Sequence, residues 1–169
     1  MAAESSRVIR DATGEDASVL LEIYAPSIRE TAISFEFEVP TVDEFATRIE
    51  KVLETGLWIV LELDGAVAGY AYATEFRGRA AYAATRETTV YVGADHHRQG
   101  VGRALLEALL GRLTERGVRL AIAGITLPNA GSVALHEALG FRHVGVFHEV
   151  GRKFDEWQDV GFWELPLGG

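Results

Sequence analysis

The run His97-Arg98-Gln99-Gly100-Val101-Gly102-Arg103 sets two glycines among basic side chains, between a stretch of strand character and an apolar helical pattern. At such a junction several backbone N–H groups and the positive end of the helix dipole converge on one point, which suits a phosphate. Gly100 and Gly102 let the backbone approach an anion closely, and His96, His97, Arg98 and Arg103 add positive charge around it. Two other glycine-loop chemistries fail here. The run lacks the third glycine of a dinucleotide fingerprint, and about 20 residues further on stand Leu120 to Ile122 rather than an acidic residue ending a strand. A nucleoside-triphosphate loop needs Gly-Lys-Ser/Thr, and the turn contains no lysine.

The local positive charge matters because the chain as a whole is acidic, with 25 Asp and Glu against 16 Lys and Arg and a formal net charge of -9. A nucleic-acid partner is excluded for want of any basic run, so an anionic ligand must be held by a local cluster. Arg77 and Arg79, ahead of the strand that enters the turn, form a second such cluster, and two guanidinium groups suit a carboxylate or a similar anion. The absence of cysteine removes disulfides, zinc-thiolate sites and a cysteine acyl-enzyme. No metal is expected. The start MAAESSRVIRD has no basic head followed by an apolar run, and about 18 consecutive apolar residues, as a spanning helix requires, occur nowhere. These features predict a soluble cytoplasmic protein with no membrane contact. At 169 residues and 48% hydrophobic content, a single domain over 1–169 is expected, with its core at about 8–165.

The elements that must position these groups are legible from periodicity. Ser6 to Arg10 reads as a strand, and Thr13 caps a helix carrying Ala17, Leu20, Leu21, Tyr24 and Ile28, with Pro26 a candidate kink. Thr41 and Glu44 have capping-box spacing ahead of the stripe Phe45, Ile49, Val52, Leu53. Leu57 to Leu63 and Ala66 to Thr74 form a hairpin around Asp64-Gly65. Glu75 to Arg86 reads as a loop, and Glu87 to Val92 as a strand with Glu87, Thr89 and Tyr91 on one face. Val101, Leu105, Leu109 and Leu113 mark a helix ending near Gly117, followed by a strand over Leu120 to Ile125 and a helix from Asn129 to Leu139. Strands at about Arg142 to Val150 and Asp159 to Leu165 close the order β-α-α-β-β-β-α-β-α-β-β. That order predicts an α/β protein with a mixed sheet, since the crossover from 87–92 through a helix to 120–125 demands parallel pairing.

The turn resembles the acetyl-coenzyme A loop of the GNAT superfamily, written Q/R-x-x-G-x-G/A. ETTVYV at 87–92, AGITLPNAGSVALHEALGF at 123–141 and GRKFDEWQDVGFWEL at 151–165 extend the likeness to the branch of phosphinothricin, methionine sulfone and methionine sulfoximine N-acetyltransferases, from Val8 to Leu165. The resemblance implies a GNAT-like fold, acetyl-CoA as cofactor and a homodimer with its sites near the subunit boundary. It implies that the backbone around Val90, Tyr91 and Val92 meets the pantetheine arm, that Arg98, Gln99, Gly100, Val101, Gly102 and Arg103 cradle the pyrophosphate, and that Asn129 and Ser132 help hold the cofactor. His97 stands where Gln or Arg is usual.

By the same likeness Glu87 is the general base, which the chemistry requires because an α-ammonium must lose a proton before it attacks a thioester. A backbone N–H near Val92 would serve as oxyanion donor. His136 stands where many members have a tyrosine acid, and it either protonates the leaving thiolate or organises the site. Phe35, Arg77, Arg79, Tyr82, Glu87 and Tyr91 are implied as substrate-binding residues. The function this predicts is direct acetyl transfer to the α-amino group of a small amino-acid analogue. A peptide or protein N-terminal acetyltransferase and a non-catalytic acetyl-CoA sensor are the alternatives.

Overall fold

The computed structural model describes residues 6–168. Residues 1–5 and 169, the two ends of the expected domain, lie outside the described residues. In chain order the elements are β1 (Arg7–Asp11), α1 (Ala17–Arg29), α2 (Val42–Thr55), β2 (Leu57–Leu63), β3 (Ala66–Glu75), β4 (Thr85–Val92), α3 (Val101–Glu115), β5 (Leu120–Leu127), α4 (Ala130–Ala138), β6 (Arg142–Lys153) and β7 (Glu156–Pro166), with short 3-10 turns at Gly14–Asp16, Ala80–Tyr82 and Ala94–His96. The strands form one mixed sheet ordered β1-β2-β3-β4-β5-β7-β6. Its parallel pair is β4 with β5, across the α3 crossover that the order of elements predicts.

Both faces of the sheet are covered, which is why Leu57 to Leu61 of β2 read as a continuous apolar run rather than an alternation. Leu57, Ile59 and Leu61 turn to the face packed by α3, against Val101, Leu105 and Leu109. Trp58 and Val60 turn to the other face, where Leu20, Ile28, Phe45 and Ile49 of α1 and α2 meet them together with Tyr70. The α2 start is closed as a capping box: Thr41 Oγ1 accepts from the Glu44 N–H at 3.2 Å, and Glu44 Oε2 accepts from the Thr41 N–H at 2.7 Å. Pro26 does not break α1. It lies in the last turn, where the helix is about to end at Arg29, so little pairing is lost.

The two hairpins have different origins. Asp64 and Gly65, both at positive φ (51° and 83°), make the turn their sequence signals. The β6–β7 hairpin is longer than expected, running to Lys153 and resuming at Glu156 through Phe154 and Asp155 at φ 53° and 60°. Phe154 is a poor residue for that region, so nothing local marked the turn. Pairing skips from Phe147 to Gly151, leaving a bulge in which Glu149 takes φ 51°.

This hairpin anchors the connection between α1 and α2. Lys153, 2% exposed, donates from Nζ to the Ile28 and Ser34 carbonyls at 2.7 and 2.6 Å. Phe35 lies flat against Gly151, where a Cβ would come within 2.3 Å of its ring. The Tyr24 hydroxyl bonds Ser34 Oγ at 2.6 Å and donates to the Glu36 carboxylate, which Arg48 grips through both nitrogens at 2.9 and 3.0 Å. Lys153→Met keeps the apolar stem and strands two buried carbonyls; we expect about 1–3 kcal/mol of destabilisation. Urea unfolding measures this, with faster amide exchange through residues 30–36; a more stable variant would mean that burying the ammonium costs more than its two bonds return.

Candidate active site

The strands β4 and β5 run side by side only at Thr85–Leu120, Arg86–Ala121 and Glu87–Ile122. Beyond this they part: β4 stays with β3 up to Val92, and β5 stays with β7 up to Leu127. The Gly93 N–H donates to the Ala68 carbonyl at 2.9 Å, which fixes the antiparallel alternation so that Glu87, Thr89 and Tyr91 bond toward β3. The Thr88 C=O and the N–H and C=O groups of Val90 and Val92 therefore face the gap, the Thr88 N–H being used in the last pairing with Ile122. Thr88 closes its base by donating from Oγ1 to the Ile122 carbonyl at 3.3 Å. The resulting cleft of about 80 Å³ has Thr88 to Tyr91 on one wall and Ala123 to Thr126 on the other, with Ile33, Asn129, Ser132 and His136 around it.

At the end of β4 the chain passes through the Ala94–His96 turn and reaches α3 with Arg98 and Gly100 in the left-handed region, at φ 60° and 74°. The first α3 bond is from the Ala104 N–H to the Gly100 carbonyl at 3.0 Å. Among the described residues the N–H groups of Val101, Gly102 and Arg103 have no backbone acceptor, as the first turn of a helix leaves them. The side chains brace this turn more than they extend from it. His97 donates from Nε2 to the Val92 carbonyl at 3.0 Å, Gln99 donates to the Asp95 carbonyl at 2.8 Å, and Arg7 donates to the Gln99 carbonyl at 3.1 Å. Arg103 pairs with Glu107 at 2.8 Å. The two glycines differ in purpose: Gly100 supplies the positive φ with open space around it, whereas a Cβ on Gly102 would meet Leu135 at 3.3 Å and Val92 at 3.4 Å.

On α4, the Asn129 side chain caps the helix by accepting from the Ser132 N–H at 3.1 Å. His136, 3% exposed, lies with Nδ1 at 2.8 Å from the Ser132 carbonyl. A carbonyl only accepts, so Nδ1 carries the proton and the neutral ring keeps its lone pair on Nε2. Burial pushes the imidazole pKa below its ordinary 6.5, against a smaller opposing effect of the Ser132 hydrogen bond. The ring also meets Phe141 edge-on at 5.1 Å between centroids.

A larger cavity of about 560 Å³ opens beside Glu87, walled by Phe76, Ile122, Val144, Val146, Phe147 and Phe162 and carrying Arg77 and Glu164. Glu87 is half-buried, and desolvation raises its carboxyl pKa above the ordinary carboxylate range. Of the residues expected around a substrate, Glu87 and Arg77 stand in this cavity, with the Arg77 guanidinium 5.1 Å over the Phe76 ring. Tyr82 packs edge-on against Phe76 from outside, at 5.8 Å. Arg79 is exposed at the start of the Ala80–Tyr82 turn and is not part of the cavity wall. Phe35 packs on Gly151 with part of its ring exposed, and Tyr91 belongs to the cleft and to an aromatic cluster with Tyr24 and Tyr70. The apolar walls from β5 to β7 were not foreseen. The alternation of Phe162 and Glu164 was visible, but which face it served depended on a strand register that sequence does not show.

A family model described as an acetyltransferase (GNAT) domain matches residues 9–161. The chain belongs to the GNAT acetyltransferase family. Phosphinothricin N-acetyltransferase of Streptomyces viridochromogenes is 40% identical, with 94% of this chain and 88% of the relative aligned. L-methionine sulfoximine/L-methionine sulfone acetyltransferase of Salmonella typhimurium is 34% identical, with 94% of each chain aligned. The crystal structure of a GNAT superfamily phosphinothricin acetyltransferase from Sinorhizobium meliloti, in complex with AcCoA, superposes with a TM-score of 0.91 at 36% identity, covering 96% of this chain and 89% of that one. This GNAT protein is an N-acetyltransferase that uses acetyl-CoA. The parted strands and the unpaired amides at the start of α3 fit such a group: one offers backbone bonds to an extended arm, the other a helix N-terminus to a phosphate.

For Gly100→Ala we expect a loss of about 1–2 kcal/mol in stability, because a Cβ is costly at φ 74° although nothing lies within 4 Å of it. Gly102→Val overfills the contact with Leu135 and Val92 and should cost about 1–3 kcal/mol. Calorimetry with coenzyme A should show weaker binding in both variants; unchanged affinity in both would remove the turn from the cofactor site.

Proposed function

We propose that the chain transfers acetyl directly from acetyl-CoA to the α-amino group of a small amino-acid analogue of the phosphinothricin, methionine sulfone or methionine sulfoximine type. The observation that carries this reading is the position of Glu87, the last β4 residue paired with β5, where the narrow cleft and the larger cavity adjoin. Acetyl-CoA supplies the activated acetyl group. Glu87, directly or through one water, takes a proton from the incoming ammonium, and its raised pKa makes it a stronger base than an exposed glutamate. Val90 and Val92 present backbone groups to the pantetheine arm, and the Val92 N–H is a donor for a carbonyl oxygen on which negative charge gathers. His97 takes up the Val92 carbonyl and so leaves the N–H as that residue's free group. The amides of residues 98–103 meet the pyrophosphate, with Asn129 and Ser132 at the far wall. Arg77 faces the substrate carboxylate, with Tyr82 packed on Phe76 of the cavity wall and Arg79 exposed two residues further along the same loop.

Of the two roles open to His136, hydrogen bonding favours organising the site. Nδ1–H is committed to Ser132 and burial keeps the ring neutral, so Nε2 accepts a hydrogen bond rather than donating one. A released thiolate, with a pKa of about 8.5, needs little help in leaving. A volume of about 560 Å³ suits a small amino acid. Exposed Val144, Phe147, Val150, Phe154 and Trp157 on β6, β7 and their turn support a homodimer through this hairpin. The use of acetyl-CoA and the lack of cysteine support a cytoplasmic location.

Glu87→Gln should lower kcat about 10²- to 10⁴-fold, the usual contribution of a general base. Folding raises the Glu87 pKa, so the stability contributed by its protonated form is lost as pH rises through that raised value. At neutral pH the ionised carboxylate therefore costs stability, and Gln should raise Tm while lowering activity. In the parent enzyme kcat/KM should fall on the acid side with a midpoint above 4.5, and this limb should vanish in the variant. An active Glu87→Gln enzyme would place the base elsewhere. A parent enzyme that binds acetyl-CoA but acetylates no amine would instead be a sensor. Arg77→Ala should raise the amine KM and leave the acetyl-CoA KM little changed, the reverse pattern moving Arg77 to the cofactor side. Sedimentation should give a dimer that Trp157→Glu weakens.

A further inference from the structure

The register of the sheet puts Thr74, Glu87, Ile122, Glu164 and Arg142 in one row across β3, β4, β5, β7 and β6. Glu87 and Glu164 are thus separated by one residue, Ile122, or about 10 Å across two strand spacings. Both line the large cavity, whose remaining charged side chain is Arg77. Glu164 stands at the far end from the base, beyond the apolar surface of Ile122 and Phe162. Its carboxylate is 34% exposed and is met at 3.4 Å by Arg142, itself 68% exposed. An ion pair that long and that open to water neutralises only part of the charge.

We infer that Glu164 is a specificity-determining residue that makes this enzyme prefer amino acids with an uncharged side chain to those with a second anion. The inference rests on the reading of this cavity as the amine site. With the α-ammonium at Glu87 and the α-carboxylate at Arg77, the side chain lies along Ile122 and Phe162 and ends near Glu164. A sulfone is polar and neutral, and its oxygens tolerate that neighbour. A methylphosphinate of similar length carries a full negative charge and meets a like charge with one guanidinium already engaged. At about 8 Å and an effective dielectric constant of about 20–40, such repulsion amounts to roughly a five- to thirtyfold effect. Arg142 acts in the opposite sense, since it tempers Glu164 from the outer strand.

The test is the ratio of kcat/KM for L-methionine sulfone to that for L-phosphinothricin, at saturating acetyl-CoA, in the parent enzyme, Glu164→Gln and Arg142→Gln. We expect the parent ratio to favour the sulfone by about tenfold or more. Glu164→Gln should lower it about tenfold, and Arg142→Gln should raise it severalfold. Because Glu164 and Arg142 are partly or largely exposed, unfolding is not expected to obscure the result, and circular dichroism checks it. A ratio that Glu164→Gln leaves within twofold of the parent, or a parent that prefers phosphinothricin, overturns the inference while the substrate reading stands. Turnover of neither amino acid, with another amine acetylated, overturns the substrate reading and the inference with it.

Discussion

The structure depends on the point at which β4 and β5 stop pairing. Up to Glu87 and Ile122 the two strands satisfy each other; after it, each continues with its other neighbour and leaves a row of backbone donors and acceptors facing an opening. Unpaired backbone inside a sheet is expensive unless something takes its place. Here the opening is kept by what surrounds it. The Thr88 hydroxyl reaches Ile122 at its base, His97 takes the Val92 carbonyl at its top, and α4 lays Ser132 and His136 against its side. Glu87 sits where pairing ends, so the constraint that opens the cleft also places its carboxylate where the cleft and the larger cavity adjoin.

Charge is distributed to suit this arrangement. The protein is acidic overall, and the turn into α3 offers an anion chiefly backbone amides and a helix terminus, since Arg103 is tied to Glu107 and Gln99 to a carbonyl. Amides fixed in the first turn of α3 are pre-oriented and do not titrate, so they hold a phosphate without depending on pH. Glu87 is treated in the opposite way. Partial burial makes its ionised form less favourable, which costs stability at neutral pH and increases its strength as a base.

The strand-turn-helix from Glu87 to Leu113 was legible because alternation, the two glycines and the leucine stripe all agree, and the Thr41–Glu44 cap was legible for the same reason. Other features were hidden for identifiable causes. Lys153 reads as a surface residue, and only the approach of the Ile28 and Ser34 carbonyls makes it a buried clamp. Phe154 gives no turn signal, so the sequence predicts a shorter β6–β7 hairpin than the structure has. The cavity beyond Glu87 is built by register between strands far apart in the chain, which local patterns do not encode. The roles proposed for Glu87 and His136 come from the resemblance; the hydrogen bond from Nδ1 to Ser132 favours one of the two roles open to His136.

We propose that the backbone exposed by the parting of β4 and β5 is what receives acetyl-CoA. Residue-resolved amide hydrogen exchange, with and without coenzyme A, addresses it directly. Binding should slow exchange at Val90, Val92 and the amides of residues 98–103, while Thr89 and Tyr91, already bonded toward β3, change little. Protection that appears elsewhere and leaves Val90 and Val92 unchanged would contradict it.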